Sequence, residues 1–403
     1  MLLTLGRAWD LIDSLLPVLG PALDHLDVSG DARRFEPLIT SIVLTGSSPD
    51  PSEAIRSIAG LPVVTRTLEQ SPRRLRFVFR DTPIDLHVVP SDEYGSVLFS
   101  TTGTAAHTAR VLQRRAPSLC PTETALYAQA GLPFIPPEIR DGGDEIQAAA
   151  AGRLPSLVTR SDIRGDLHMH TTASDGRDSL DDMVLACRAI GHEYIAITDH
   201  SVTSAASRTV TADGLKQQAD EIARVRERVP GLTVLHGVEV DILPDGTLDF
   251  ADAVLEPLDV VVASLHDRAG QDGRRLTERC LQAIRHPLVS IISHPSNQLV
   301  GRRPGYDLDY PRIYAAAAET GTALEIDGAP SHLDLDGEHA RAAVDAGVTV
   351  TIDSDCHRAS ALERQMTFGV GTARRGWVEP RHVLNARPLD ELLAFVQRKR
   401  SAC

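Results

Sequence analysis

Aromatic side chains make up only 4% of this 403-residue chain, so it offers no obvious stacking platform for single-stranded bases. Basic charge is also in short supply. Lys and Arg number 41 against 55 Asp and Glu, a formal net charge of −14. Nucleic-acid binders usually carry a basic face, so any such contact here must rely on local arginines or on bound metal. Cysteine is sparse: the five residues at 120, 187, 280, 356 and 403 form no C-x-x-C pair. An odd, scattered set argues against a disulfide framework and fits a reducing cytoplasm. No run is long and apolar enough to span a bilayer. The opening "MLLTLGRAWDLIDSLLPVLG" is interrupted by Asp10 and Asp13 and lacks a small-residue cleavage site. The spacing of Leu5, Trp9, Ile12, Leu15 and Leu16 predicts the buried face of a helix instead.

What remains is an ordinary soluble composition, 24% charged and 42% apolar, with length enough for two or three domains. The first ~135 residues mix the leading helix with β-like runs such as "SIVLTG", "RLRFVFR" and "IDLHVV". Paired prolines, paired glycines and an alanine run in "LPFIPPEIRDGGDEIQAAAAGRLPSLV" predict a linker that partly lies on a neighbour, set at 136–164. Beyond residue 165, seven short apolar runs alternate with amphipathic segments: "RGDLHMH", "YIAITDH", "LTVLHGVEV", "LDVVVASLH", "LVSIISHP", "TALEID" and "VTVTIDSDCH". Leu180, Met183, Val184, Cys187 and Ile190 make one helical stripe, with Gly191 placed as its C-cap. Strand–helix alternation repeated seven times predicts a parallel sheet closed into a barrel.

The stretch "GDLHMHTTASDG" places two histidines two apart and an aspartate five residues later. In a strand, positions i and i+2 share a face, so His168 and His170 can aim at one point and Asp175 can return to it from the loop. Six of the seven runs carry or lead into a metal-capable residue: His168 and His170, His200, Glu239, His266, His294, then Asp355 and His357. Strand ends share one face of a (β/α) barrel, where active sites form, so separate short motifs converge there. Asp327 and Ser331, in and after the sixth run, are weaker candidates for the mouth. Cys356, between two site residues, points away from them. His25, His87, His107, His192, His236, His286, His332, His339 and His382 read as packing or surface residues. Imidazole mixed with carboxylate suits Mn²⁺, Zn²⁺ or Fe²⁺.

Taken together, "RGDLHMHTTASDG", "YIAITDHS", "LHGVEVDILPDG", "VVASLH", "ISHP", "GRRPGYDLD" and "ARRGWVEPRHVLNARPLDELLAF" make residues 165–403 resemble the polymerase-and-histidinol-phosphatase (PHP) domain. The version they resemble stands at the C-terminus of bacterial family X DNA polymerases. The resemblance implies a distorted (β/α)7 barrel with two to three divalent ions on nine ligands. By it, one ion takes His168, His170, Glu239 and Asp355. A second shares Glu239 and adds His266 and His294, and a third takes Asp175, His200 and His357.

Upstream, "IDLHVV" and "LFSTTGTAAHTARVL" resemble pieces of the family's nucleotidyltransferase palm and thumb. Asp85 fits the palm's third aspartate, but Thr40 and Ile42 stand where its carboxylate pair aligns, and the family's helix-hairpin-helix region has no counterpart. Residues 1–135 are therefore expected to be a small α+β polymerase remnant without catalysis.

The expected activity is metal-dependent phosphoester hydrolysis in the cytoplasm, most of all 3′→5′ exonuclease or 3′-end-processing phosphodiesterase action on DNA ends, as in DNA repair. Arg268, Arg302 and Arg303, which follow the fourth and fifth runs, are the candidate cations for the phosphoryl oxygens. "SPRRLRFVFR", "ARVLQRR" and "GRR" lend weak support to DNA. The alternatives are a small-molecule phosphatase of the histidinol-phosphate or nucleotide type and a non-catalytic DNA-end-binding protein.

Overall fold

The computed structural model describes residues 2–114 and 118–401; Arg115 of the arginine-rich "ARVLQRR" and Cys403 lie outside them. The chain divides into two units, Met1–Pro155 and Ser156–Cys403.

In the first unit the leading stretch forms the helix Leu5–Leu19, burying Leu5, Ile12 and Leu15, with Trp9 and Leu16 half-buried at the edge of the stripe. A five-stranded mixed sheet follows, in the order His25–Ser29, Ile42–Ser47, Thr82–Val89, Arg74–Phe79, Arg66–Ser71. Only the pair Ile42–Ser47 and Thr82–Val89 is parallel. The stretch 136–155 lies packed on this unit. Arg140 is fully buried, donating to Ile135 O at 2.8 Å and pairing with Glu123. The His107 ring is held between Glu145 Oε1 at 2.6 Å and the Tyr127 hydroxyl at 2.8 Å. A buried charge needs such a partner, and these pairs draw the proline- and glycine-rich segment onto the unit. Residues 156–164 join the second unit, where Val158 N–H donates to Val378 O.

In the second unit all seven alternating runs become parallel strands: Gly165–Asp166, Tyr194–Ile197, Thr233–Asp241, Val260–Ser264, Ile291–Ile292, Ala323–Asp327 and Val350–Asp353. They lie side by side in sequence order. A helix follows each: Leu180–Ala189, Ala212–Arg228, Asp252–Leu255, Gly273–Arg285, Tyr310–Thr320, Gly337–Asp345 and Leu362–Arg375. Local chemistry starts these helices. The side chains of Ser179, Thr211, Asp272, Asp309 and Asp336 each accept a backbone N–H of the first turn, satisfying donors that would otherwise be orphaned. Gly191, past the end of the first of these helices, has φ +84°. The apolar stripe Leu180, Met183, Val184 and Cys187 is buried against the sheet.

The sheet closes into a distorted (β/α)7 barrel at a seam where side chains replace the ladder. The first and last strands meet at one parallel bridge, Met169 with Cys356, and His170 N–H donates to Cys356 O at 2.9 Å. Elsewhere Asp353 Oδ1 accepts from Leu167 N–H at 2.7 Å and Asp166 Oδ1 from Ser354 N–H at 3.2 Å. Asn385 completes the closure. Its amide donates to Gly165 O at 2.9 Å and Ile352 O at 2.7 Å, and its carbonyl accepts from Ile352 N–H at 3.0 Å.

Side chains alternate along these strands. Met169, Val238, Val240, Leu324, Ile326 and Ile352 pack outward under the helices, while Leu167 packs with Ala196, Leu235, Val262 and Ala323 inside the barrel. His168, Glu239, Glu325, Asp327 and Asp353 face inward and are fully buried. A barrel interior this rich in ionisable groups requires compensation that apolar packing cannot provide. Cys120, Cys187, Cys280 and Cys356 are free and buried. No helix among the described residues is long and apolar enough to cross a membrane.

Candidate metal centre

The strand ends bring all nine predicted residues to one place. His168 and His170 alternate inward from the first strand, with their Nε2 atoms 3.2 Å apart. Asp355, after the last strand, sets Oδ1 3.0 Å from His170 Nε2 and 3.7 Å from His168 Nε2. Glu239, at the centre, places Oε1 3.1 Å from both His266 Nε2 and His294 Nε2. Its Oε2 lies 2.7 Å from His200 Nδ1. Asp175 Oδ1 lies 3.2 Å from His357 Nε2 and 3.5 Å from His200 Nε2.

Ligand-capable atoms within 4.8 Å of one another form four groups: His170, Asp175, His200 and His357; His168, His170 and Asp355; His200, Glu239 and His266; and Asp327, His332 and Asp355. This partition differs from the one the resemblance implied. His200 belongs to two groups because its ring has two nitrogens on opposite edges, one facing Asp175 and the other Glu239.

Hydrogen bonds around the nine leave nitrogens free to coordinate. Glu325 Oε1 accepts His168 Nδ1–H at 2.7 Å, and Asp241 Oδ1 accepts His266 Nδ1–H at 2.7 Å. The Asp355 carbonyl accepts His357 Nδ1–H at 3.0 Å. In each ring this turns Nε2 toward the centre, the nitrogen left to coordinate once its proton is lost, the usual arrangement behind a metal-bound histidine. Glu325 also accepts His294 backbone N–H at 2.7 Å. Ser264 Oγ donates to Glu239 Oε1 at 2.5 Å.

The donor set fits divalent cations. His170 Nδ1, His200 Nδ1, His294 Nδ1 and Glu239 Oε2 are buried without hydrogen-bond partners. Although His200 Nδ1 and Glu239 Oε2 are only 2.7 Å apart, they do not form a hydrogen bond. Orphaned donors and acceptors in a buried site cost free energy unless something between them is bound. Backbone strain is concentrated here as well: His294, Asn297, Leu333 and Asp355 have φ of +20°, +48°, +46° and +47°, and such conformations persist where the surroundings impose them.

The electrostatics agree. Burial opposes the charge on Glu239, yet His200, His266 and His168 around it hold its carboxyl well below the usual range. Burial also disfavours a charged His266, but Glu239 and the hydrogen bond to Asp241 outweigh it and push the ring up to about 10. His357 follows the same pattern through Asp355 and Asp175, against burial, and rises to about 9. His170 is held low by burial and then by the neighbouring His200 and His357. With no cation, protons on imidazoles balance the carboxylates, and a divalent ion replaces those protons.

The groups open into a cavity of ≈ 300 Å³ lined by ligand residues together with Asn297, Arg303 and His332. The three arginines expected near the phosphoryl group separate. Arg303 lines this cavity, its guanidinium donating to Asn297 O at 2.7 Å and Oδ1 at 2.9 Å. Arg268 lines a neighbouring cavity of ≈ 460 Å³ that shares His266 and Arg303 with the first. Arg302 is exposed and lines neither, because the turn after the fifth strand directs consecutive side chains apart. Ser331 is exposed and lines neither, whereas Asp327 is buried beside the centre. His332, read from sequence as packing, stands on the cavity wall with its ring 5.3 Å from that of His294. Glu325 was missed too. The signal was there: it shares the inward face of "ALEID" with Asp327.

A parallel barrel whose strand ends gather nine imidazoles and carboxylates defines a metal-dependent hydrolase of phosphoester bonds. Residues 166–320 match the PHP domain. The "DNA polymerase/3'-5' exonuclease PolX" of Bacillus subtilis is 35% identical over 391 residues, spanning 92% of this chain and 68% of its own. The chain belongs to the PHP-domain family. A "Probable phosphatase" of Caldanaerobacter subterraneus subsp. tengcongensis is 32% identical over 204 residues, 48% of this chain and 75% of its own. Among solved structures, the histidinol phosphate phosphatase of Lactococcus lactis subsp. lactis, complexed with zinc, L-histidinol and phosphate, is 17% identical, with a TM-score of 0.42 over 53% of this chain and 93% of its own.

Proposed function

We propose that the chain trims DNA 3′ ends as a 3′→5′ exonuclease or end-processing phosphodiesterase, and that it adds no nucleotides. Eight of the nine residues fall in the ligand groups at one barrel mouth, and His294, outside those groups, reaches Glu239 Oε1 at 3.1 Å; this convergence carries the hydrolytic half of the reading. Similarity to the PolX enzyme over 92% of the chain favours DNA as substrate. On this reading His168, His170, Asp175, His200, Glu239, His266, His294, Asp355 and His357 hold two or three ions, with Mn²⁺, Zn²⁺ and Fe²⁺ matching the donors. Such ions supply the charge that acidifies water for attack on phosphorus and offset charge on the phosphoryl oxygens. Glu325 and Asp241 fix the tautomers of His168 and His266. Asn297 orients Arg303 toward the cavity, where its guanidinium can meet a phosphoryl oxygen.

The first unit supports the non-polymerising half. Asp85, the one palm-like carboxylate, is clamped by Arg74, with Nε at 2.9 Å and the terminal nitrogen at 2.7 Å. Burial opposes its charge, but Arg74 and then His87 hold it well below the usual carboxylate range. The parallel neighbour strand Ile42–Ser47 carries no acid, and Val43 stands opposite Asp85. Thr40 is bound to Asp31 Oδ2 at 2.7 Å. Among the described residues, every group able to hold a metal lies in the second unit. We read residues 1–135 as a palm-and-thumb remnant in which a guanidinium stands where a cation would be needed.

A second reading, a phosphatase for small phosphate monoesters, draws on the net charge of −14 and on the relatives called probable phosphatases. The deciding experiment offers the protein, with Mn²⁺, a 3′-labelled single strand, histidinol phosphate and bis-p-nitrophenyl phosphate. Stepwise 3′ trimming supports the nuclease. Phosphate release from the monoester alone replaces it with the phosphatase, and inactivity on all three rejects both.

A further inference from the structure

Beyond the nine residues, the inner face of the sixth strand and the loop after it bring two more, Asp327 and His332, to the barrel mouth beside Asp355. Asp327 ends that strand fully buried. Its Oδ1 accepts Ala329 N–H at 2.6 Å, while its Oδ2 is buried with no partner. His332, five residues on, has Nδ1 equally buried and unpartnered. Asp355 completes the group, with one ligand atom from each residue within 4.8 Å of the others. A cation 2.0–2.2 Å from tetrahedrally placed donors separates them by about 3.5 Å, so the three side chains must draw together to hold one.

Protonation of Asp327 does not resolve the orphan, because a hydroxyl at Oδ2 would still have no acceptor. A cation held by the group would give Asp327 and His332 a common partner. The cavity reaches both His332 and Asp355, which gives an ion a way in.

We propose that Asp327, His332 and Asp355 form a fourth divalent-cation position, sharing Asp355 with the His168–His170 group. One imidazole and two carboxylates suit Mn²⁺, Zn²⁺ or Fe²⁺. Three protein ligands leave coordination positions open toward the cavity, as in a site that takes water or a phosphoryl oxygen rather than one closed for structure. The position rests on the metal-centre reading but is separable from it.

The test is crystallographic and analytical. The full chain is stripped with chelator, reloaded with Mn²⁺, and examined by anomalous diffraction and by metal content per chain. The expected result is an anomalous peak between Asp327, His332 and Asp355 in addition to those among the nine residues. His332→Ala, on the cavity wall, should remove that peak and one ion per chain while the others remain. Asp327→Asn should do the same if it folds, and His332→Ala decides alone if it does not. Peaks among the nine with none at the trio would overturn this position and leave the hydrolase reading intact. A trio peak that survives His332→Ala would also overturn it. Absence of manganese from every group would sink both.

Discussion

Glu325 shows how much of a metal centre can depend on a residue that need not touch the metal. Its two oxygens hold the His168 ring and the His294 backbone. Glu325→Gln keeps the shape but removes the charge that holds the Nδ1 proton of His168. Metal affinity is expected to fall about 10- to 100-fold with the far-ultraviolet circular dichroism unchanged, as read by Mn²⁺ titration. Protons follow the same logic. In the ion-free protein His266 stands at about 10 and His357 at about 9, so both carry protons at neutral pH and must lose them to bind metal. Mn²⁺ uptake is expected to release protons, and affinity to weaken as pH falls. Calorimetry in two buffers of different ionisation enthalpy measures the number released, and a value of zero would contradict the assignment.

At the scale of elements, the barrel seam and one strand entry carry distinct costs. Asn385 satisfies Gly165 O, Ile352 O and Ile352 N–H with a single buried amide. Asn385→Ala orphans those groups, and the loss of stability in urea unfolding is expected to be about 2–4 kcal/mol. His192 precedes the second strand, buried with both ring nitrogens unpartnered. Burial and then Arg160 push it down to about 3. A depressed imidazole means the unfolded chain binds the proton that the folded chain refuses. Its effect is absent above pH 6.5, and stability is lost as pH falls from there toward 3, by at most about 1.4 kcal/mol per pH unit. His192→Gln should flatten the acid limb of stability relative to the parent chain, and equal slopes would show that His192 does not contribute.

For the whole molecule, the two units make opposite use of carboxylates. In the barrel they converge with imidazoles, whose protons a divalent ion can replace. In the first unit Asp85 is already neutralised by Arg74. Asp85→Asn and Arg74→Ala are therefore expected to leave hydrolysis and Mn²⁺ uptake unchanged, and neither the parent nor either variant should extend a primed template with dNTPs. An extension product that disappears in Asp85→Asn would mean that the palm is alive.

The sequence by itself determined the alternation of seven strands and helices, and it marked the nine ligand-capable residues. Each of these is written in local periodicity and short motifs, which the chain reads over a few residues. Only the tertiary structure grouped the ligand-capable atoms, because His200 faces two groups through opposite edges of one ring. It alone separated Arg303 from Arg302 and drew residues 136–155 into the first unit through buried ion pairs. It also turned His332 and Asp327 toward the centre and closed the barrel through Asn385. These depend on contacts between residues far apart in the chain, and spacing along one strand carries no information about what the opposite side of a barrel presents.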